Sequence, residues 1–348
     1  MSEAYASNGT PEEMSVQPPP AADENLFAGN LITVRRNFSR LGWGIFVMLV
    51  CLTLVQAVAM AAAELLWPGW MESDWGLWLL SYLPLYFVAL PLYLLVVRKT
   101  PAVPLSREAL PLKTLGLITA VCFFMMYAGN MVGIVLTGIL QLIPGITATN
   151  PVEGMTAGTA LLPRFLVMVI GAPLSEEYIF RKQLIDRMHL YGRRTAVVVS
   201  AVLFGLFHGN LSQFFYAAAL GLVFGYVYLK TGKLRYSIGL HMLINLLGGV
   251  IAPMLLEHLP LTADGAFDLE AIGSALPWFA GYLLYMLAFM GLALAGLVIL
   301  CLKFRQIRFG TAPLELPRHI RARTVWGNWG MILAVLSCFA MFALSLFA

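Results

Sequence analysis

The chain has 348 residues, of which 60% are hydrophobic and only 11% are charged. A soluble globular domain carries roughly 25% charged residues, so this composition excludes a soluble protein and indicates one that crosses a membrane several times. The formal net charge is +4, and the distribution of the charges along the chain is more informative than their sum.

The first 37 residues are predicted to form a disordered cytoplasmic tail. They are polar, they include three consecutive prolines at Pro18–Pro20, and they contain too few apolar residues to bury a core. They also lack the positively charged start and the apolar core of a secretory signal. Residues 38–348 are predicted to form one transmembrane helical domain.

Nine apolar runs follow the tail, and most of them have about the 20 residues that a membrane-spanning helix needs. We therefore predict an all-α fold, a polytopic transmembrane helix bundle with about nine spans, or eight if one run is re-entrant. The runs are 42–65, 77–97, 114–143, 158–180, 195–210, 212–229, 236–256, 276–302 and 327–347.

The basic residues agree with this count of spans. Of the 22 lysines and arginines, 21 lie in segments that the nine spans place on one side of the membrane, and Arg164 is the exception. The loops on the other side are neutral or acidic. Because basic loops remain in the cytoplasm, we predict a multi-pass cell-membrane protein with a cytoplasmic N-terminus and an extracytoplasmic C-terminus.

Ionisable side chains within the apolar runs mark the candidate site. Glu176 and Glu177 end the fourth run, His208 lies in the fifth, and His241 lies in the seventh. Such groups are costly inside a membrane and usually face a cavity or a partner. On a helix, Glu177 and Arg181 share a face, whereas Glu176 is turned about 100° away. We therefore predict that Glu177 is paired with Arg181 and that Glu176 faces a cavity.

Two further pairs have the four-residue spacing of a shared helix face, namely Phe204 with His208 and His241 with Asn245. The basic turn between the fourth and fifth runs lies about 15 residues from both Glu176 and His208. An antiparallel hairpin would therefore place these two side chains at one depth, roughly 22 Å from the turn. This arrangement predicts a single cavity below the cytoplasmic surface that opens towards the cytoplasm.

These residue types together suit the hydrolysis of an amide bond. Desolvation raises the pKa of a carboxylate towards the range of a general base. An imidazole can hold a water molecule, and an asparagine amide can donate to a developing oxyanion. The sequence shows no serine or cysteine nucleophile with a base at a telling spacing, and no H-E-x-x-H metal motif.

Three short motifs resemble those of the CPBP family, which includes CAAX-processing endopeptidases and bacteriocin-processing intramembrane proteases, often called Abi proteins. The motifs are Glu-Glu-x-x-x-Arg at Glu176–Arg181, Phe-x-x-x-His at Phe204–His208 and His-x-x-x-Asn at His241–Asn245. The resemblance covers roughly residues 160–250, within a predicted protease core at about 158–256.

The resemblance implies a role for each of these residues. Glu176 would activate water with the help of His208, while His241 and Asn245 would form the oxyanion side of the site. Glu177, Arg181 and Phe204 would support this catalytic set.

The site could work with a divalent metal or without one. The family is often described as metalloproteases, and a divalent metal such as zinc would use Glu176, His208 and His241. The sequence favours a metal-free mechanism, because each histidine shares its helix face with Phe204 or Asn245 and not with a second strong ligand.

The predicted partners are the lipid bilayer and a membrane-associated protein or peptide, either prenylated or a bacteriocin or leader peptide. No nucleic-acid partner is expected. Two other functions could use the same residues, namely a transporter or proton relay and a non-catalytic membrane scaffold. A transporter of this kind would carry broken helices in two repeated halves, and no internal repeat is evident.

Overall fold

A computed structural model describes residues 21–73, 75–148, 160–261, 267–268 and 272–347. The described residues form helices joined by short connections, and no strand occurs among them. This confirms the predicted all-α polytopic bundle.

The helices are labelled here in chain order. The bounds are α1 Ala21–Leu66, α2 Gly76–Val97, α3 Leu112–Leu140, α4 161–188, α5 Arg193–Phe207, α6 Leu211–Thr231, α7 Leu234–Leu256, α8 Ile272–Lys303, α9 Arg318–Val325 and α10 Trp329–Ser345. Helices α2, α4 and α7 each contain π-helical segments.

Helix α1 begins earlier than the sequence predicts. It starts at Ala21, so residues 21–37 of the predicted disordered tail are helical, whereas residues 1–20 lie outside the described part of the chain. No proline occurs between Ala21 and Leu66, so nothing interrupts the helix once it has started. The helix ends before a Pro-Gly pair, where Gly69 has a positive φ of 80°.

Among the described residues, six helices are long and apolar enough to cross a membrane, namely α1, α2, α3, α6, α7 and α8. The pair α9 and α10, bent by 63°, raises this number to at most seven. Length and composition therefore support fewer spans than the predicted nine. The difference lies in α4, which carries several charged residues, in α5, which has only 15 residues, and in the bend before α10.

The ends of α4 nevertheless contact opposite sides of the bundle. Near its start, Arg164 forms an ion pair of 3.0 Å with Glu257, which follows α7. Just beyond its end, His189 Nε2 lies 2.8 Å from the carbonyl oxygen of Val103, in the connection between α2 and α3. Helix α5 then runs back along α4, so the two helices form the antiparallel hairpin that the sequence predicts.

The last helix, α10, lies against the first. Gly42 of α1 faces Gly330, and a Cβ atom on either residue would overlap the backbone of the other helix. The backbone N–H of Gly330 also donates to Ser39 Oγ at 3.2 Å. Paired small residues of this kind allow the close approach of helices in a membrane.

The far end of α10 lies beside the connection that follows α3, because the backbone N–H of Thr147 donates to the carbonyl of Leu346 at 2.9 Å. We therefore expect α10 to cross the membrane alongside α1. A reporter fused after Ala348 should be extracytoplasmic, and one inserted between Arg308 and Arg318 should be cytoplasmic. A six-span protein would place both reporters on the same side, which would contradict this prediction.

Candidate active site

The two adjacent glutamates lie in a short α-helical part of α4, Ala172–Glu177. This part is flanked by two π-helical segments, Phe165–Gly171 and Tyr178–Ile185. Single π-helical turns within α-helices are rare and frequently lie at functional sites. Both glutamates are buried, but Glu176 keeps 9% of its surface exposed whereas Glu177 keeps none. Glu176 is therefore the carboxylate that a small molecule can reach.

Glu177 is paired with Arg181, as the four-residue spacing predicts. Arg181 Nε lies 3.0 Å from Glu177 Oε2, and neither side chain is exposed. The contact is an ion pair without the alignment of a hydrogen bond. The guanidinium group also lies 4.5 Å over the ring of Phe204 and donates to Ser200 Oγ on α5 at 3.3 Å. Arg181 thus joins the two helices of the hairpin.

His241 of α7 lies between the two glutamates. Its Nδ1 is 3.1 Å from Glu177 Oε1, and its Nε2 is 3.7 Å from Glu176 Oε2. The ring stacks on Phe224 at 5.4 Å and meets the ring of Phe204 edge-on at 5.7 Å. The separation of 3.7 Å is too long for a direct hydrogen bond and is in the range that a water molecule can bridge.

His208 lies at the end of α5, and its Nδ1 is 2.8 Å from the carbonyl oxygen of Phe204. A carbonyl oxygen can only accept a hydrogen bond, so Nδ1 carries the proton and Nε2 of the neutral ring is an acceptor. The rings of His208 and His241 both meet the ring of Phe204 edge-on, at 5.0 Å and 5.7 Å. The structure therefore places the two histidines around the same phenylalanine.

Asn245 lies one turn beyond His241 on α7. Its Nδ2 donates to the carbonyl of Met168, in the first π-helical segment of α4, at 2.8 Å. This bond fixes α7 against α4. It uses one of the two N–H groups of the amide, so only the second N–H remains to donate a hydrogen bond to an oxyanion.

Three tyrosines beside the site have no signal in the sequence. Tyr82 of α2 and Tyr216 of α6 pack against the hydrophobic core that includes Phe180 and Phe204. The Tyr86 hydroxyl lies against Gly171, where a Cβ atom would approach it to 2.8 Å. Tyrosine is common in membrane helices, and no local spacing links these residues to α4, so the sequence held no signal for them.

Glu176, His208 and His241 are the residues that a divalent metal would use. No group of three or more His, Cys, Asp or Glu side chains among the described residues is arranged to hold a metal ion. Glu176 and His241 face one another, and Nδ1 of His208 is engaged with the backbone.

Comparison with known families identifies the part of the chain that carries these residues. Residues 158–247 match the family described as Rce1-like type II CAAX prenyl endopeptidases. The match covers 90 of the 348 residues. It includes all three motifs and agrees with the resemblance that they indicate. The match supports, in general terms, an intramembrane endopeptidase in a multi-pass membrane protein.

A relative matches part of the chain. The UPF0177 protein YxdF of Lactococcus lactis subsp. lactis is 27% identical over 139 residues, which are 40% of this chain and 77% of YxdF. No solved structure matches the chain. The similarity to the Rce1-like family therefore rests on the match over residues 158–247 and on the motifs within it.

Proposed function

We propose that the protein is an intramembrane endopeptidase that cleaves a peptide bond near the cytoplasmic side of the membrane, with Glu176 activating the attacking water. One observation carries this proposal. The accessible carboxylate of Glu176 faces His241 Nε2, while the fully buried Glu177 holds Nδ1 of the same ring. One glutamate is thus available for proton transfer, and the other orients the group beside it.

In the proposed reaction, Glu176 accepts a proton from a water molecule whose oxygen attacks the carbonyl carbon of the scissile bond. With both ring nitrogens protonated between the two carboxylates, His241 donates from Nε2 to the oxyanion that develops on the carbonyl oxygen, and Asn245 donates from its second N–H. Glu176 then gives the proton to the departing amine as the C–N bond breaks. His208 accepts a hydrogen bond from the water at Nε2 and holds it in place.

The substrate we propose is a protein or peptide within or attached to the membrane, either prenylated at its C-terminus or carrying a leader peptide. The description of the matched family supports the prenylated class. The site is buried, and its helix α7 is long and apolar enough to cross a membrane, which supports a substrate that reaches it from the bilayer or its surface.

A proteomic comparison tests this proposal. Membranes from cells that express the wild-type protein should contain newly formed peptide termini that are missing from cells expressing Glu176→Gln. Glu72→Gln, a change in an exposed glutamate, is the matched control and should give the wild-type set of termini. Identical sets of termini in all three samples would contradict an endopeptidase.

The role of metal has its own test, made with a cleaved peptide and the purified protein. We expect His208→Ala and His241→Ala to abolish cleavage and thorough chelation to leave most of the activity. The reason is that both histidines contact groups other than a metal, namely Phe204 and the two glutamates. Stoichiometric zinc by elemental analysis, lost together with activity in His208→Ala, would show that the metal-free mechanism is wrong.

A further inference from the structure

A second polar site lies beside the turn between α6 and α7. It is a cavity of about 340 Å³. Its lining includes four basic residues from three separate segments, Arg107 of the α2–α3 connection, Lys182 of α4, and Lys233 and Arg235 at the start of α7. None of these residues belongs to the candidate active site.

The lining of the cavity carries four cations and no carboxylate. Asp186 lies beside Lys182 and is engaged by it at 2.6 Å and by the hydroxyl of Tyr228 at 2.9 Å. Glu108 follows Arg107 in the exposed α2–α3 connection. Arg235 donates to the hydroxyl of Tyr236 at 3.0 Å. Four basic residues against these two carboxylates leave the cavity with an excess of positive charge.

Backbone contacts hold the walls of the cavity together. The N–H of Glu108 donates to the carbonyl of Thr231 at 2.8 Å. Gly232, with a positive φ of 58°, lies so close to the carbonyl of Ser106 that a Cβ atom would overlap it. The α2–α3 connection is thus fixed against the α6–α7 turn, and the cavity exists before any ligand enters it.

We propose that this cavity binds the phosphate-containing headgroup of an anionic lipid. Both α6 and α7 qualify as membrane spans, and the short turn that joins them must lie at the surface of the bilayer. Lipid phosphates lie at this depth, and basic pockets between membrane helices bind such headgroups. The bound headgroup would contact Lys182, which is adjacent to Arg181 of the active site.

The test uses purified protein in nanodiscs of phosphatidylcholine with and without phosphatidylglycerol, and native mass spectrometry counts the lipids that stay bound. The double variant Lys233→Gln/Arg235→Gln should bind phosphatidylglycerol at least about 10-fold more weakly than the wild type. The matched control Arg305→Gln/Arg308→Gln removes two exposed arginines outside the cavity and should bind as the wild type does.

Thermal unfolding in phosphatidylcholine nanodiscs shows whether the variants are folded. If the double variant does not fold, Arg107→Gln, a change in an exposed connection, tests the same cavity. Unchanged binding in the folded cavity variants, or an equal loss in the control, would overturn the proposal. Inorganic phosphate forms the third arm of the test. If it displaced phosphatidylglycerol at the same concentration as the lipid, the site would be one for soluble phosphate and the proposal would be wrong.

Discussion

Replacing Glu176 with glutamine is expected to lower the rate of peptide cleavage by at least about 100-fold, the usual worth of a general base. Glutamine keeps the shape of the side chain, but its amide cannot take a proton from water. The contact with His241 is long, at 3.7 Å, and 11% of the Glu176 side chain is exposed. The substitution should therefore leave the thermal unfolding midpoint close to that of the wild type.

The measurement is the cleavage rate of a peptide identified by the proteomic comparison, with purified protein in nanodiscs. Glu72→Gln again serves as the control and should retain full activity, since that glutamate is exposed and outside the segment that matches the Rce1-like family. If Glu176→Gln cleaved the peptide as fast as the wild type, Glu176 would have no part in the mechanism.

Replacing Arg181 with glutamine is expected to lower the free energy of unfolding by about 3–5 kcal/mol, the cost of removing one partner from a buried ion pair. The carboxylate of Glu177 has no exposed surface and would lose the cation 3.0 Å away. The contact of the guanidinium group with Phe204 would be lost as well. Unfolding in mixed micelles, followed by circular dichroism, measures this loss.

The double variant Glu177→Gln/Arg181→Gln separates charge from packing. It removes both members of the pair, so it should be more stable than Arg181→Gln alone. Its activity should remain low, because His241 Nδ1 no longer faces a carboxylate. The stability of Glu177→Gln is measured as well. If the double variant lost as much stability as Glu177→Gln and Arg181→Gln together, the two side chains would not be coupled and the ion pair would have no stabilising role.

The features of the site that the sequence revealed are those that depend on local helix geometry. The pairing of Glu177 with Arg181 follows from one turn of helix, and the hairpin of α4 and α5 follows from two apolar runs joined by a basic turn. Glu176 and His208 lie at similar distances from that turn, one on each helix of the hairpin. Rules of this kind need only the 1.5 Å rise of each residue.

The contacts that the sequence could not predict join distant parts of the chain. Glu177 and His241 are 64 residues apart, and nothing in either helix alone shows that this glutamate binds both the arginine and the histidine. Tyr86 comes from α2 and reaches the site because α2 packs there. Among the described residues, length and composition alone qualify only six or seven of the predicted spans, because α4 carries the polar groups of the site and α5 has only 15 residues.

The contact between α1 and α10 can form only after α10 has been synthesised, long after α1. Ser39 and Gly330 are 291 residues apart, and ribosomes add about 5–20 residues per second. The first helix therefore enters the membrane roughly 15–60 seconds before its glycine-lined partner has been synthesised. During that interval the surface around Gly42 is covered only by lipid or by insertion factors. The bundle closes around the segment that matches the Rce1-like family only after Gly330 has been added.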